Sequence, residues 1–319
     1  MLRGCLAIED YKPQFSGHAT FPLRYGWLKK GFDAVLSRDG ESGSKQIFLN
    51  EDAIARFGVG KNMVESMRHW CQATGIIEEG NNENSLKTTE FGRLLFCSDG
   101  LDPFLEEASS LWLIHWKLCS SGVKTTWHWS FNHFPGSVFE RDHFLLGLSK
   151  LSLEAGWKRV SPNTIKRDIE CFVRTYVARP IKSKEAHEDA LECPLVELGL
   201  IKSAGSRDRF RFVRGRKSSL RNSIFLFAVI EFWKDYSSAS HLSFEALMHE
   251  PGSPGRVFLL DEADVSDRLS SLDEVSGGKI RWSETAGLKQ IIRDVELEKI
   301  DLLDLIKNDY AYSANRKVA

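Results

Sequence analysis

Apolar residues recur at helical spacing along most of the chain, and short alternating stretches interrupt them. Lys61–Ala73 is the clearest case. Met63, Val64, Met67, Trp70 and Cys71 fall at i, i+1, i+4, i+7 and i+8, which is one stripe of a helix. Asn50 reads as the cap of a short helix before it, residues 51–57, and Gly58-Val59-Gly60 separates the two. Gly75 is placed to end the second helix. Ile76 to Glu78 and Leu86 to Thr88 then read as the strands of a loose hairpin, and Thr89 opens a further helix. An earlier helix is predicted over residues 24–36, after a turn-rich aromatic run at 12–23.

The same order returns downstream. Residues 101–134 are helical and rich in Trp, and residues 139–153 read as an amphipathic helix. Ser161-Pro162 is a helix start, with a capping hydroxyl followed by proline at the first position. The helix so opened points Ile165, Ile169, Phe172, Val173 and Tyr176 inward, and Asn163, Lys166, Arg167, Glu170 and Arg174 outward, until Pro180 closes it. After an acidic stretch at 184–190, Phe210 to Arg214 alternates like a strand. A third, acidic copy is read in the last hundred residues. It has an apolar helix at 223–236, an acidic helix at 262–272, a strand at 279–282, and a segment at 284–288 that echoes the helix start at 89–94.

Helix, glycine turn, helix and β-wing make a winged helix-turn-helix. The expected fold class is therefore mainly α with small β-wings (α+β), as tandem winged units. The expected divisions are a winged domain at 1–100, an aromatic-rich helical connector at 101–135, a second winged unit with a basic wing at 136–220, and an acidic helical or winged domain at 221–319. In this geometry the second helix of a unit enters the major groove of DNA. Lys61, Asn62, Ser66 and Arg68 of the first unit, with Asn163, Lys166 and Arg167 of the second, are then the candidates for phosphate and base contacts.

Charge sharpens this picture. Across 319 residues, 43 basic and 44 acidic side chains leave a net charge of −1, but the signs are segregated. Lys202 to Arg221 sets eight basic residues against Asp208 alone, and Asp261 to Glu274 holds six acids and one Arg. Blocks of one sign create local fields whatever the total. The basic block adds Arg209, Arg211, Arg214, Arg216 and Lys217 to the candidate DNA contacts. An acidic third unit would repel phosphate, so it is expected to serve partner or self contacts, including a homodimer.

The longest strictly apolar run, Ile224 to Ile230, is far below the roughly 18 residues a membrane span needs. No secretory leader is legible at the start, and the six cysteines have no metal-knuckle spacing. The expected location is cytoplasmic, with no membrane partner. His115, His128 and His133 sit among the aromatics and read as core or interface residues rather than metal ligands. No Walker loop, dinucleotide fingerprint or nucleophile elbow occurs. Two candidates for chemistry remain. His18 could act as a general base with Arg24 stabilising a phosphorane-like state. Asp261, Glu262 and Asp264 could hold Mg or Mn, although carboxylates along one helix spread over a face rather than converge.

The run from Phe15 to Gly31, FSGHATFPLRYGWLKKG, is distinctive. It resembles the opening signature of a bacterial domain-of-unknown-function family that travels with DNA phosphorothioation genes. The resemblance implies an SspB-type DNA-nicking subunit of the single-strand phosphorothioation system. Such a subunit acts in anti-phage defence beside the other subunits of a sulfur-modification complex. The family pattern has an acidic residue where this chain has Ala19. If that acid serves a metal or catalytic site, this chain is a substituted form. The reading taken forward is a double-stranded-DNA-binding subunit with a metal-dependent nick. The alternatives are a winged-helix transcriptional regulator without catalysis and a scaffold that binds only proteins.

Overall fold

The computed structural model describes residues 3–157, 160–178, 193–205, 208–285 and 287–317. The helix end expected at Pro180, the acidic stretch 184–190, and Arg207 of the basic block lie outside the described residues.

The first third folds as α1 (Trp27–Leu36), α2 (Ala53–Phe57), α3 (Lys61–Ala73), a hairpin of β1 (Ile77–Glu79) with β2 (Leu86–Thr88), and α4 (Glu90–Phe96). Gly31 of α1 lies against the Cys71 thiol of α3, so a Cβ there would force the two helices apart. Thr89 caps α4, its Oγ1 accepting the Gly92 N–H at 2.9 Å. The short second helix starts two residues later than the sequence suggests, with Asp52 rather than Asn50 at its cap position.

The centre of the molecule is α5 (Ala108–Ser120) and α6 (Thr125–Asn132). Both are buried on nearly every side, their polar residues included, and Trp112, Trp116 and Trp127 are completely enclosed. A helix without a polar face belongs in a core.

Next come β3 (Val138–Glu140), α7 (Arg141–Glu154), α8 (Pro162–Tyr176), β4 (Ile201–Ser203) and β5 (Arg209–Phe212). The three strands form an antiparallel sheet in the order β3-β5-β4. Phe139 pairs with Phe210 across this sheet and stacks on Phe144 of α7 at 4.0 Å between ring centroids. That pairing removes Phe139 from the helix expected at 139–153, and α7 begins at Arg141. Ser161 caps α8 as expected, accepting the Thr164 N–H at 3.1 Å.

The last third holds α9 (Asn222–Tyr236), β6 (His241–Ser243), α10 (Phe244–His249), α11 (Pro254–Val257), α12 (Glu262–Ser270), α13 (Leu272–Ser276), β7 (Ile280–Thr285), β8 (Leu288–Arg293) and α14 (Leu302–Lys317). Its sheet runs β6-β8-β7, so the first strand again pairs with the last. Where the sequence suggests a helix start, the strand ladder of β7 and β8 runs up to Thr285 and Leu288 instead. Thr285 pairs with Leu288, and Gly287 takes φ 82°, a left-handed conformation that glycine adopts freely. Overall the chain is mainly helical, with small antiparallel sheets. Among the described residues no helix is long and apolar enough to cross a membrane.

Candidate nucleic-acid interface

The distinctive N-terminal run is a strap rather than an exposed loop. His18 is buried, and its ring Nδ1 accepts the Thr20 N–H at 3.0 Å. That leaves the ring proton on Nε2, which donates to Asp168 Oδ1 of α8 at 2.8 Å. Lys124, at the entry to α6, reaches the same oxygen at 3.2 Å, and both Lys124 and Asp168 are cut off completely from solvent. Burial alone would raise the Asp168 carboxyl, but Lys124 and His18 together hold it below the usual carboxylate range. Lys124 also lies 5.0 Å from the centre of the Trp127 ring. The imidazole of His69 on α3 packs beside His18, 6.0 Å between ring centroids. Burial, then the charge of Lys124, pushes His69 well below the usual histidine value.

Arg24 is also buried, its guanidinium 5.5 Å from the Phe21 ring and 5.6 Å from the Trp27 ring. Neither His18 nor Arg24 is therefore presented to a ligand on the surface. Ala19 takes φ 44° and Thr20 φ 68°, a left-handed pair in residues that do not favour it. Ala19→Asn, better suited to that conformation, is expected to stabilise the protein by about 0.5–1 kcal/mol in urea unfolding.

The outward side chains of the two candidate reading helices divide. On α8, Asn163, Lys166 and Arg167 are all exposed. Glu170 instead pairs with Arg141 at 2.9 Å, and Arg174 donates to the Thr20 carbonyl at 3.1 Å. On α3, Lys61 and Asn62 are exposed and Arg68 is half-buried. Ser66 faces inward, in correction of the sequence reading. It is fully buried, with Oγ 3.4 Å from the Phe21 carbonyl that Trp70 Nε1 also reaches at 3.0 Å.

The basic block splits in two. Arg209 and Arg211 stand exposed on β5, and Lys202 sits opposite Arg211 across the ladder, while Phe210 between them turns to the core. From Arg214 onward the chain docks on the C-terminal region instead, through the Arg214 guanidinium and the Lys217 backbone N–H. Arg214 Nη1 donates to the carbonyls of Leu260 at 2.8 Å and Gly255 at 3.3 Å. Lys217 is buried, its Nζ donating to the Val213 carbonyl at 2.6 Å. Burial and the nearby Arg214 lower it to about 8. Arg216 stays exposed but lies 3.8 Å from Asp267. Arg214 and Lys217 thus hold the fold together at positions the sequence assigns to DNA.

Two of the three candidate metal ligands are occupied in the same way. Asp261 caps α12, accepting the Asp264 N–H at 2.8 Å. Asp264 accepts the Lys217 N–H at 3.1 Å and pairs with the buried Arg268 at 3.2 Å. Glu262 is exposed in the first turn of α12. Among the described residues no group of three or more His, Cys, Asp or Glu side chains is placed to hold a metal ion.

A family described as "Protein of unknown function (DUF4007)" matches residues 15–310. The chain belongs to the DUF4007 family. Two solved structures are similar to it along nearly their whole length. A magnesium ion-bound SspB crystal structure superposes with a TM-score of 0.84 at 31% identity, covering 96% of this chain and 90% of that one. An SspB crystal structure gives 0.84 at 30% identity, covering 97% and 91%. Among curated proteins none matches the sequence.

In this DUF4007 chain the residues that sequence reasoning passed over are Lys124 and Asp168. Asp168 carried a signal. It stands on the apolar stripe of α8, between Ile165 and Phe172 and beside Ile169. A carboxylate on a buried stripe needs a cationic partner in the core.

Of the three histidines read as core or interface residues, His115 and His128 are enclosed and His133 is half-buried. His115 bonds the Tyr176 hydroxyl and the Val257 carbonyl, each at 2.8 Å. His128 lines a cavity of about 620 Å³ with Cys5, Trp116, Lys117, Glu231 and Asp235. Its Nδ1 bonds the Cys119 carbonyl at 2.8 Å, which turns Nε2 toward the Cys5 thiol at 3.3 Å. Burial pushes Cys5 up to about 11 and His128 down to about 4, so the pair stays neutral and is a poor nucleophile.

Proposed function

We propose that this chain is a duplex-DNA-binding subunit of a bacterial DNA phosphorothioation and anti-phage defence system, built on tandem winged units. The observation that carries this reading is the second unit. Its strand–helix–helix–hairpin path, with strand order β3-β5-β4, supports a winged-helix reading in which α8 would be the reading helix, and Asn163, Lys166 and Arg167 on it are exposed. Likeness to SspB over 96% of the chain supports the system. The contact set comprises Asn163, Lys166 and Arg167 on α8, Arg209 and Arg211 on the wing sheet, and Lys61 and Asn62 on α3, with Arg68 beside them.

Magnesium, carried by one of the similar structures, does not fit the acidic segment of this chain as a protein-held ion. Asp261 and Asp264 are committed to a cap and an ion pair, so no cleavage step is derived through them. The nick that the resemblance implies is therefore tested directly.

Binding of a fluorescent duplex across a salt series tests the reading. About five phosphate contacts give a slope of log affinity on log salt near −4 to −5. Arg209→Ala and Arg211→Ala should each flatten that slope by about 1. Arg214→Ala and Lys217→Ala should lower the melting temperature and leave the slope alone. A wild-type slope near zero leaves only a protein scaffold. Supercoiled plasmid incubated with Mg²⁺ or Mn²⁺, with EDTA as control and Ala19→Glu as companion variant, then separates the two DNA-binding readings. Open circles that depend on the metal identify a nickase. Tight binding to plasmid that stays supercoiled identifies a regulator.

A further inference from the structure

The segment from His18 to Phe21 touches both candidate reading helices through consecutive residues. The Thr20 carbonyl accepts from Arg174 of α8 at 3.1 Å. The next carbonyl, of Phe21, accepts from Trp70 Nε1 of α3 at 3.0 Å and lies 3.4 Å from Ser66 Oγ. His18 ties the same turn to Asp168, the residue that follows Lys166 and Arg167 on α8. On the other side the turn is seated on α3. A Cβ on Gly17 would run into the His69 ring, so the strap backbone lies flush against that side chain. Two left-handed residues between these anchors keep the turn compact.

We infer that this strap is a positioning clamp. It fixes α3 against α8 so that both helices meet one duplex as a single rigid reader. His18 and Arg174 act through α8 and touch no DNA themselves. The inference rests on the DNA-binding reading above and deepens it. Two modules held at a fixed span bind the second contact at high effective concentration, and a loosened link forfeits that gain without removing any DNA contact.

The test uses the full-length protein with Arg174→Ala, which leaves the buried charges in place, and His18→Gln. The first readout needs no DNA. Spin labels attached through non-cysteine chemistry at positions 62 and 163 report the distance between α3 and α8. One narrow distribution is expected in the wild type and a broadened one in both variants. A broad wild-type distribution, or narrow ones throughout, overturns the clamp. The second readout is binding to a duplex of about three helical turns over a salt series. Both variants should bind roughly tenfold more weakly, with a slope flatter by about 1 as the α3 contacts drop out. A variant that is merely less well folded binds in smaller amount with the wild-type slope. Variants that match the wild type in affinity and slope overturn the inference while the DNA-binding reading stands. Absence of binding by the wild type removes that reading instead, and the distance measurement then still decides whether the helices are clamped.

Discussion

Lys124→Met is expected to cost about 3–5 kcal/mol of folding stability, one of the two largest effects this structure implies. Lys124 supplies a full positive charge 3.2 Å from Asp168 Oδ1, and both Lys124 and Asp168 are wholly enclosed. Removing the ammonium leaves a carboxylate in a site that would otherwise favour its neutral form. Urea unfolding of Lys124→Met, of Asp168→Asn and of the double variant measures the coupling. The double variant should lose clearly less than the sum of the singles, because no orphaned charge remains. Additive losses, or a cost below about 1 kcal/mol for Lys124→Met, would show that the pair does not stabilise this fold.

The other large effect is acid sensitivity. Burial lowers His115 and His128 to about 4 and His133 to about 3. In the unfolded chain each returns to the ordinary value near 6.5. Between these values the unfolded state binds protons that the folded state refuses, so stability falls as the solution is acidified through that window. Each of the two nearly fully buried rings contributes on the order of 3 kcal/mol over the whole window. The carboxyl of Asp168, held low, adds a loss that begins only as pH drops below about 4. The urea midpoint should therefore be level from about pH 8 to 7 and decline steadily from about 6.5 to 4. A flat profile down to about pH 4.5 would mean these imidazoles reach solvent.

What the sequence made legible follows from how local each signal was. The bounds of α3 and the start of α8 rest on residues a few positions apart, a stripe in one case and Ser161-Pro162 in the other, and the structure has both where they are expected. β3 was not legible. Three residues carry no period of their own, and Phe139 finds its strand partner Phe210 far along the chain. β6 was missed for the same reason, since it pairs with β8 after four intervening helices. In the candidate interface, Lys166 and Arg167 could be placed by helical phase alone. Arg214 and Lys217 could not. Neither lies in a strand or helix, so no period places it, and the Gly255 and Leu260 carbonyls that hold Arg214 and the Asp264 carboxylate that accepts the Lys217 N–H come from far along the chain.

The strap also sets a limit on how this gene can vary. Thr20 and Phe21 aim neighbouring carbonyls at separate helices, so one added or deleted codon between His18 and Pro22 would swing one carbonyl away from its donor whatever amino acid it encoded. Tolerance to insertions should therefore collapse over those few positions. Deep scanning of in-frame indels would show this as a narrow gap in tolerated variants over residues 18–22.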